Sequence, residues 1–361
     1  MDFRPLTSVI FESQQAPIDG RIIYIIITKE IIENMNNSLI VPCCRKIFNR
    51  LIAKARDFCS ISCVPDGIIE IIKFYSCTGI IPEELKYTES FSFDFDYFAF
   101  AKSTKSLIAI RQLLNHSEFP LSEDSFMLIR SIFENHILSR FVRENIDDAD
   151  KRKEVVDNFI LAPLGISFDH YVSRGRKGVF SRDNIKVGEI QNPRGITVGK
   201  DAEYYDFLYP FLCQYTHCSY GASPCYFISS GFSYNKENHL ILAYLLAIFA
   251  FTKLYEGVVT VNGEDLVNKK MAKSYYDLAY DSLEFQIQVM DFLVDYYKNL
   301  PKEKIDAVLE KYIGVEEVNN SNMRIANMLQ KLKNSLFDSE IGSLNKSEFS
   351  EGHFVRKYQE W

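Results

Sequence analysis

The chain is expected to be all-α, a multi-helix bundle, and three observations predict it. Apolar residues recur at helical spacing through most segments. Runs that alternate apolar with polar residues, as half-buried strands do, are scarce. The apolar share, 47% of 361 residues, is large enough to build a sizeable core. The expected exception is 173–200, read as a small hairpin or an irregular basic loop.

The elements follow in order. Ile22–Asn36 is apolar with helical interruptions, and Arg45–Phe58 continues as a basic amphipathic segment. Pro65-Asp66-Gly67 breaks the chain before Ile68–Tyr75. In Ser90–Phe100 the alternation of Phe91, Phe93 and Phe95 suits a strand, but Phe91, Phe95 and Phe98 also suit a helix. With no second strand to pair with it, helix is expected. Lys102–Leu114 is a helix, and Ser122-Glu123-Asp124 caps another that runs to about Asn145. Further helices are predicted at Glu203–Cys218, Lys236–Tyr255, Leu266–Lys298, Lys302–Tyr312 and Asn322–Phe337, before a polar tail over Asp338–Trp361. Pro210 suits only a first turn, so the helix through it is expected to kink or to restart near Tyr209. These segments divide into 1–100, a core bundle over 101–260, and 261–361, joined as one globular unit.

Composition narrows the function classes. A net charge of -7 argues against a protein that binds nucleic acid over its whole surface. Segment 173–200 runs against that balance, with seven Lys/Arg and two acids, Asp183 and Glu189. Arg174, Arg176, Lys177 and Arg182 are therefore the candidate nucleic-acid contacts. The start, Met1-Asp2-Phe3-Arg4-Pro5, lacks the layout of a secretory signal, and the eight cysteines include no C-x-x-C pair. Reduced thiols, a cytoplasmic location and no membrane association are expected. Leu240–Thr252 is the longest uncharged apolar run, too short as it stands to cross a bilayer, and reads as a core helix. A phosphate-binding loop, a dinucleotide fingerprint and a G-x-S-x-G elbow are absent, so NTPase, dehydrogenase and esterase readings lose support; no cofactor is expected.

Two constellations could carry chemistry. On a helical wheel Phe126, Met127, Phe133, Ile137, Leu138 and Phe141 fill an arc of roughly 140°, with Arg130 and Glu134 inside it. His136, Arg140 and Arg143 fall on the opposite side. An ion pair on an apolar face must satisfy itself, find a third polar group or line a cavity, because burying either charge alone costs several kcal/mol. It is either a structural tie between helices or a polar site. The second constellation places Tyr209, Cys213 and His217 along one helix face at i, i+4 and i+8. A histidine there is either a hydrogen-bonded core residue or an acid/base. Cys213, His217 and Cys225 lack a fourth ligand at zinc-finger spacing, so no metal site is expected.

The stretch Ala109-Ile110 to Leu113-Leu114, followed by Leu128-Ile129-Arg130-Ser131-Ile132-Phe133-Glu134, is similar to the "L-x-R-S-L-x-E" helix of a bacterial family known as domain of unknown function DUF5677. Tyr209-x-x-Leu212-Cys213-x-Tyr215-Thr216-His217 is similar to its "Y-x-x-L-S-x-x-V-H" segment, with Cys213 where serine is usual and Thr216 where an aliphatic is usual. The resemblance covers about 100–255. It implies a helical bundle in which Arg130, Glu134, Tyr209 and His217 converge, and it implies no settled activity. Arg111 to His116 and Arg130 to His136 also resemble the R-x(4–6)-H string of HEPN ribonucleases, which implies metal-independent RNA cleavage at a dimer interface.

Two functions follow as expectations. One is a defence- or toxin-type metal-independent endoribonuclease, with His217 or His116 as general acid/base and Arg130 on the phosphate. The other is a non-catalytic helical sensor or scaffold of a phage-defence system. RNA, a partner protein or a second copy of the chain are the expected partners.

Overall fold

The computed structural model describes residues 37–61, 90–146, 148–155, 157–158, 170–173, 175, 178–189, 193–217, 222, 226–228, 231–234, 239–266, 269–298 and 315–336. Helices hold 81% of them. The helices are α1 (Asn37–Ile61), α2 (Ser90–Leu114), α3 (Ser122–Ile146), α4 (Ala149–Val155), α5 (Asp201–Thr216), α6 (Leu240–Leu266), α7 (Lys269–Lys298) and α8 (Val315–Leu336). The helices expected at Ile22–Asn36, Ile68–Tyr75 and Lys302–Tyr312, and the tail, lie outside the described residues.

α6 is the axis of the bundle. Leu242 to Tyr255 is buried at every position, since a helix apolar on all sides needs neighbours on all sides. α1, α2, α3 and α7 supply them. The helix is longer than the apolar run suggested. Its window Leu240–Gly257 is apolar enough to span a bilayer, with mean hydropathy 1.5, but 89% of it is buried within the bundle. Aromatic rings lock the layers together. Phe100 of α2 meets Phe58 of α1 at 5.2 Å and Phe251 of α6 at 5.4 Å, and Phe48 of α1 packs edge-on against Tyr244. α7 packs between α6 and α8, and α5 lies against α3 and α8.

The 173–200 expectation needs correcting. The segment begins earlier and holds a third strand: β1 (His170–Ser173), β2 (Gly178–Ser181) and β3 (Lys186–Glu189) form an antiparallel meander, followed by a short 3-10 turn, Pro193–Ile196. A second, smaller hairpin pairs β4 (Phe227–Ile228) with β5 (Gly231–Phe232). Two helix readings were also left open by the sequence. α2 runs unbroken from Ser90 through Leu114, which settles the Phe91–Phe95 ambiguity in favour of helix. α5 runs through Pro210 without a restart. The exposed proline removes only the hydrogen bond to the carbonyl of Asp206, itself on the solvent side, so water can take the partner's place.

Candidate functional site

α3 and α5 are antiparallel neighbours, and the candidate site is their seam. Three pairings fix the register. Phe126 meets Tyr215 at 4.7 Å, Arg130 meets Tyr209, and Arg140 meets Asp201 at 3.4 Å. The α3 partners ascend as the α5 partners descend.

At the middle of the seam the Arg130 Nε donates to Glu134 Oε1 at 3.1 Å, and its Nη2 donates to the Tyr209 hydroxyl at 2.5 Å. The guanidinium also lies over the Tyr209 ring, 4.5 Å from its centroid, and Tyr205 stacks beneath that ring at 4.3 Å. Arg130 and Glu134 are 20% and 33% exposed, so the pair sits on the rim of the bundle and is not sealed. Burial pulls the Arg130 guanidinium towards neutrality, but Glu134, joined by Tyr209 and Cys213, outweighs that and holds it more firmly charged. Burial, followed by the Glu134 charge, pushes the Tyr209 hydroxyl well above the ordinary phenol range, so it stays protonated. The half-buried Cys213 thiol borders the same patch.

The remaining expected site residues lie elsewhere. α5 ends at Thr216, and His217 turns into extended backbone (φ -112, ψ 154) as the exposed C-cap, its N–H donating to the Cys213 carbonyl. It is eight residues past Tyr209, roughly 12 Å along the helix axis. The expected convergence of His217 on Arg130 and Glu134 is therefore not seen: no described side chain pairs with its imidazole. His116 is exposed beyond the end of α2, its Nδ1 accepting from the Glu118 N–H and its ring 5.7 Å from Phe119. Arg111 lies in the last turn of α2, where its carbonyl accepts from Asn115. No described hydrogen bond or ion pair joins Arg111 to His116. Of the basic candidates, Arg182 is exposed at the β2–β3 turn, while Arg174, Arg176 and Lys177 lie outside the described residues. Among the described residues no three His, Cys, Asp or Glu side chains come together as a metal site requires.

A second polar cluster was not foreseen. Asp201, the first residue of α5 and 1% exposed, faces His136 of α3, itself 8% exposed, at 3.3 Å; the contact is electrostatic and is not a well-aligned hydrogen bond. Arg140 of α3 reaches both Asp201 oxygens at 3.4 Å and Glu144 at 3.0 Å. From α6 the buried Lys253 adds charge near Asp201, pairs with Glu256 at 3.8 Å and lies over the Tyr204 ring. Burial disfavours the Asp201 carboxylate, but His136, Arg140 and Lys253 hold it below the ordinary range. His136 and Arg140 belong to the side of α3 expected to face solvent. The buried arc of α3 is in fact turned by roughly 100°, towards Ser125, Ile129, Ile132 and Ser139, which leaves Met127 exposed and Arg130 on the flank. The signal that could have located this cluster is Lys253, a charge that ends an otherwise apolar run.

Comparison with known proteins adds nothing to this geometry: no family model, curated protein or solved structure matches the chain. The resemblance to DUF5677 therefore rests on the quoted residues alone.

Proposed function

We propose that the chain is a non-catalytic helical sensor or scaffold, with the Arg130–Glu134–Tyr209 seam as a structural tie. The observation that carries this reading is that the Arg130 fork is engaged by Glu134 and Tyr209 while both candidate histidines, His116 and His217, lie outside that cluster. A general acid/base must stand within hydrogen-bond reach of its proton, and the Nε–H and one Nη2–H of Arg130, a pair of donors suited to a bidentate oxyanion, are spent on Glu134 and Tyr209. The setting is the one expected from the sequence: a cytoplasmic protein of a bacterial defence system, with a partner protein or RNA as what it senses.

The endoribonuclease reading makes the opposite forecast in a single assay. Labelled total RNA is incubated in EDTA with the wild type, His217→Ala and His116→Ala, and the three melting temperatures are compared. No cleavage above the buffer control is expected. Cleavage by the wild type that disappears in either histidine variant at unchanged melting temperature would overturn the scaffold reading in favour of a metal-independent ribonuclease.

A further inference from the structure

We propose that the β1–β3 meander binds single-stranded nucleic acid through its phosphodiester backbone, a property independent of whether the seam is structural. Charge is the first observation. Residues 170–189, from β1 to β3, carry five Lys/Arg against two acids, leaving 36 Lys/Arg against 46 acids in the rest of the chain. A polyanion repelled by the acidic body is attracted to this element.

The strands then decide how the charge is presented. Tyr171 of β1 and Phe180 of β2 are register partners on one face of the sheet, and Lys186 of β3 pairs with Phe180 across a β-bulge, so the three form a row across the sheet. Phe180 is buried at the centre of the row, while Tyr171 and Lys186 are exposed at its two edges. Tyr171 stacks on Phe180 at 6.0 Å, and its hydroxyl donates to Asn184 in the β2–β3 connection. That connection begins with the exposed Arg182. An exposed aromatic ring held in place on the same small sheet as two exposed cations matches how single strands are gripped, with bases on rings and phosphates on Lys and Arg. An anionic membrane is the poorer fit. The exposed Val172 projects from the face opposite Tyr171, so the apolar side chains are not gathered on one insertable surface.

The test uses the full chain and a fluorescein-labelled mixed-sequence 20-nucleotide strand, as RNA and as DNA, read by anisotropy from 50 to 200 mM salt. The probe variant is Arg182→Glu/Lys186→Glu, and Lys105→Glu/Lys151→Glu makes the same charge change on exposed helical positions. Because phosphate is the main contact, RNA and DNA are expected to bind about equally. Each lost phosphate contact lowers the salt slope by about 0.7, so the probe variant should lose about 1.4 units of slope and bind about tenfold more weakly at 50 mM salt. The control pair should bind like the wild type, and all three proteins should melt together. Three results would each overturn the proposal: no binding of either strand at 50 mM salt, equal weakening by both variants, or binding confined to phosphatidylserine vesicles.

Discussion

The carboxylate of Asp201 lies 3.3 Å from the imidazole of His136, and both side chains are shut away from solvent. Through this contact and Arg140, the first turn of α5 is fastened to α3, with Lys253 of α6 close behind. Removing one member of a buried charge cluster leaves the others uncompensated, which typically costs 3–5 kcal/mol. Asp201→Ala is therefore expected to lower unfolding stability by about 3 kcal/mol in urea at pH 7. A loss below about 1 kcal/mol would show that the cluster contributes little.

The same carboxylate sets a pH dependence. Its folded pKa is held below the unfolded value of about 3.9, so the folded state binds fewer protons. Its stabilisation is complete above that value and is lost as pH falls through the folded pKa. Between pH 5 and pH 2 the wild type should lose more stability than Asp201→Asn, whose amide does not titrate. Parallel stability curves for the two proteins would contradict this.

Pro210 interrupts the hydrogen-bond ladder of α5. Pro210→Ala restores an N–H for the Asp206 carbonyl and relieves a residue about 3 kcal/mol less favourable than Ala in a helix interior; added freedom in the unfolded chain offsets part of that gain. Its net effect is expected to be stabilising by about 1–2 kcal/mol, seen as a higher melting temperature. A lower melting temperature would mean that the proline is required where it stands.

Phe249 of α6 is fully buried, with Tyr204 of α5 edge-on to its ring at 5.6 Å. Phe249→Ala should cost about 4 kcal/mol, through lost burial and the cavity left behind. A conservative Phe249→Leu should recover most of that cost. Equal instability in the two variants would argue against a volume effect.

The sequence revealed the helices well and the polar contacts unevenly, for physical reasons. Helical periodicity located α1, α3, α7 and α8 because each buries one side and exposes the other. It also singled out Arg130 and Glu134, since charged residues among large apolar ones stand out, whereas their meeting with Tyr209 was what the DUF5677 resemblance implied. His136 was assigned to the solvent side because the wheel was centred on Phe126, Phe133, Ile137 and Phe141. In the fold α3 is flanked by α2, α5 and α6, and small residues such as Ser125 and Ser139 share its buried side. Asp201 was hidden because Lys200-Asp201-Ala202-Glu203 reads as an ordinary polar helix start. Only the tertiary approach of His136 and Lys253 makes it a buried anion. His217 was misplaced for a local reason: the helix stops one residue before it, so the i, i+8 spacing from Tyr209 no longer defines a face.

The account turns on whether Arg130 is a structural tie, and a double-mutant cycle in urea at pH 7 measures that directly. The pair is partly exposed, so Arg130→Ala should cost about 1–2 kcal/mol, less than a sealed pair would, and Tyr209→Phe about 1 kcal/mol. Because the guanidinium and the hydroxyl bond to each other, the double variant should lose less than the sum of the two, with a coupling of about 0.5–1 kcal/mol. Strict additivity, with Arg130→Ala as stable as the wild type, would contradict the account and return Arg130 to the list of groups free to act on a ligand.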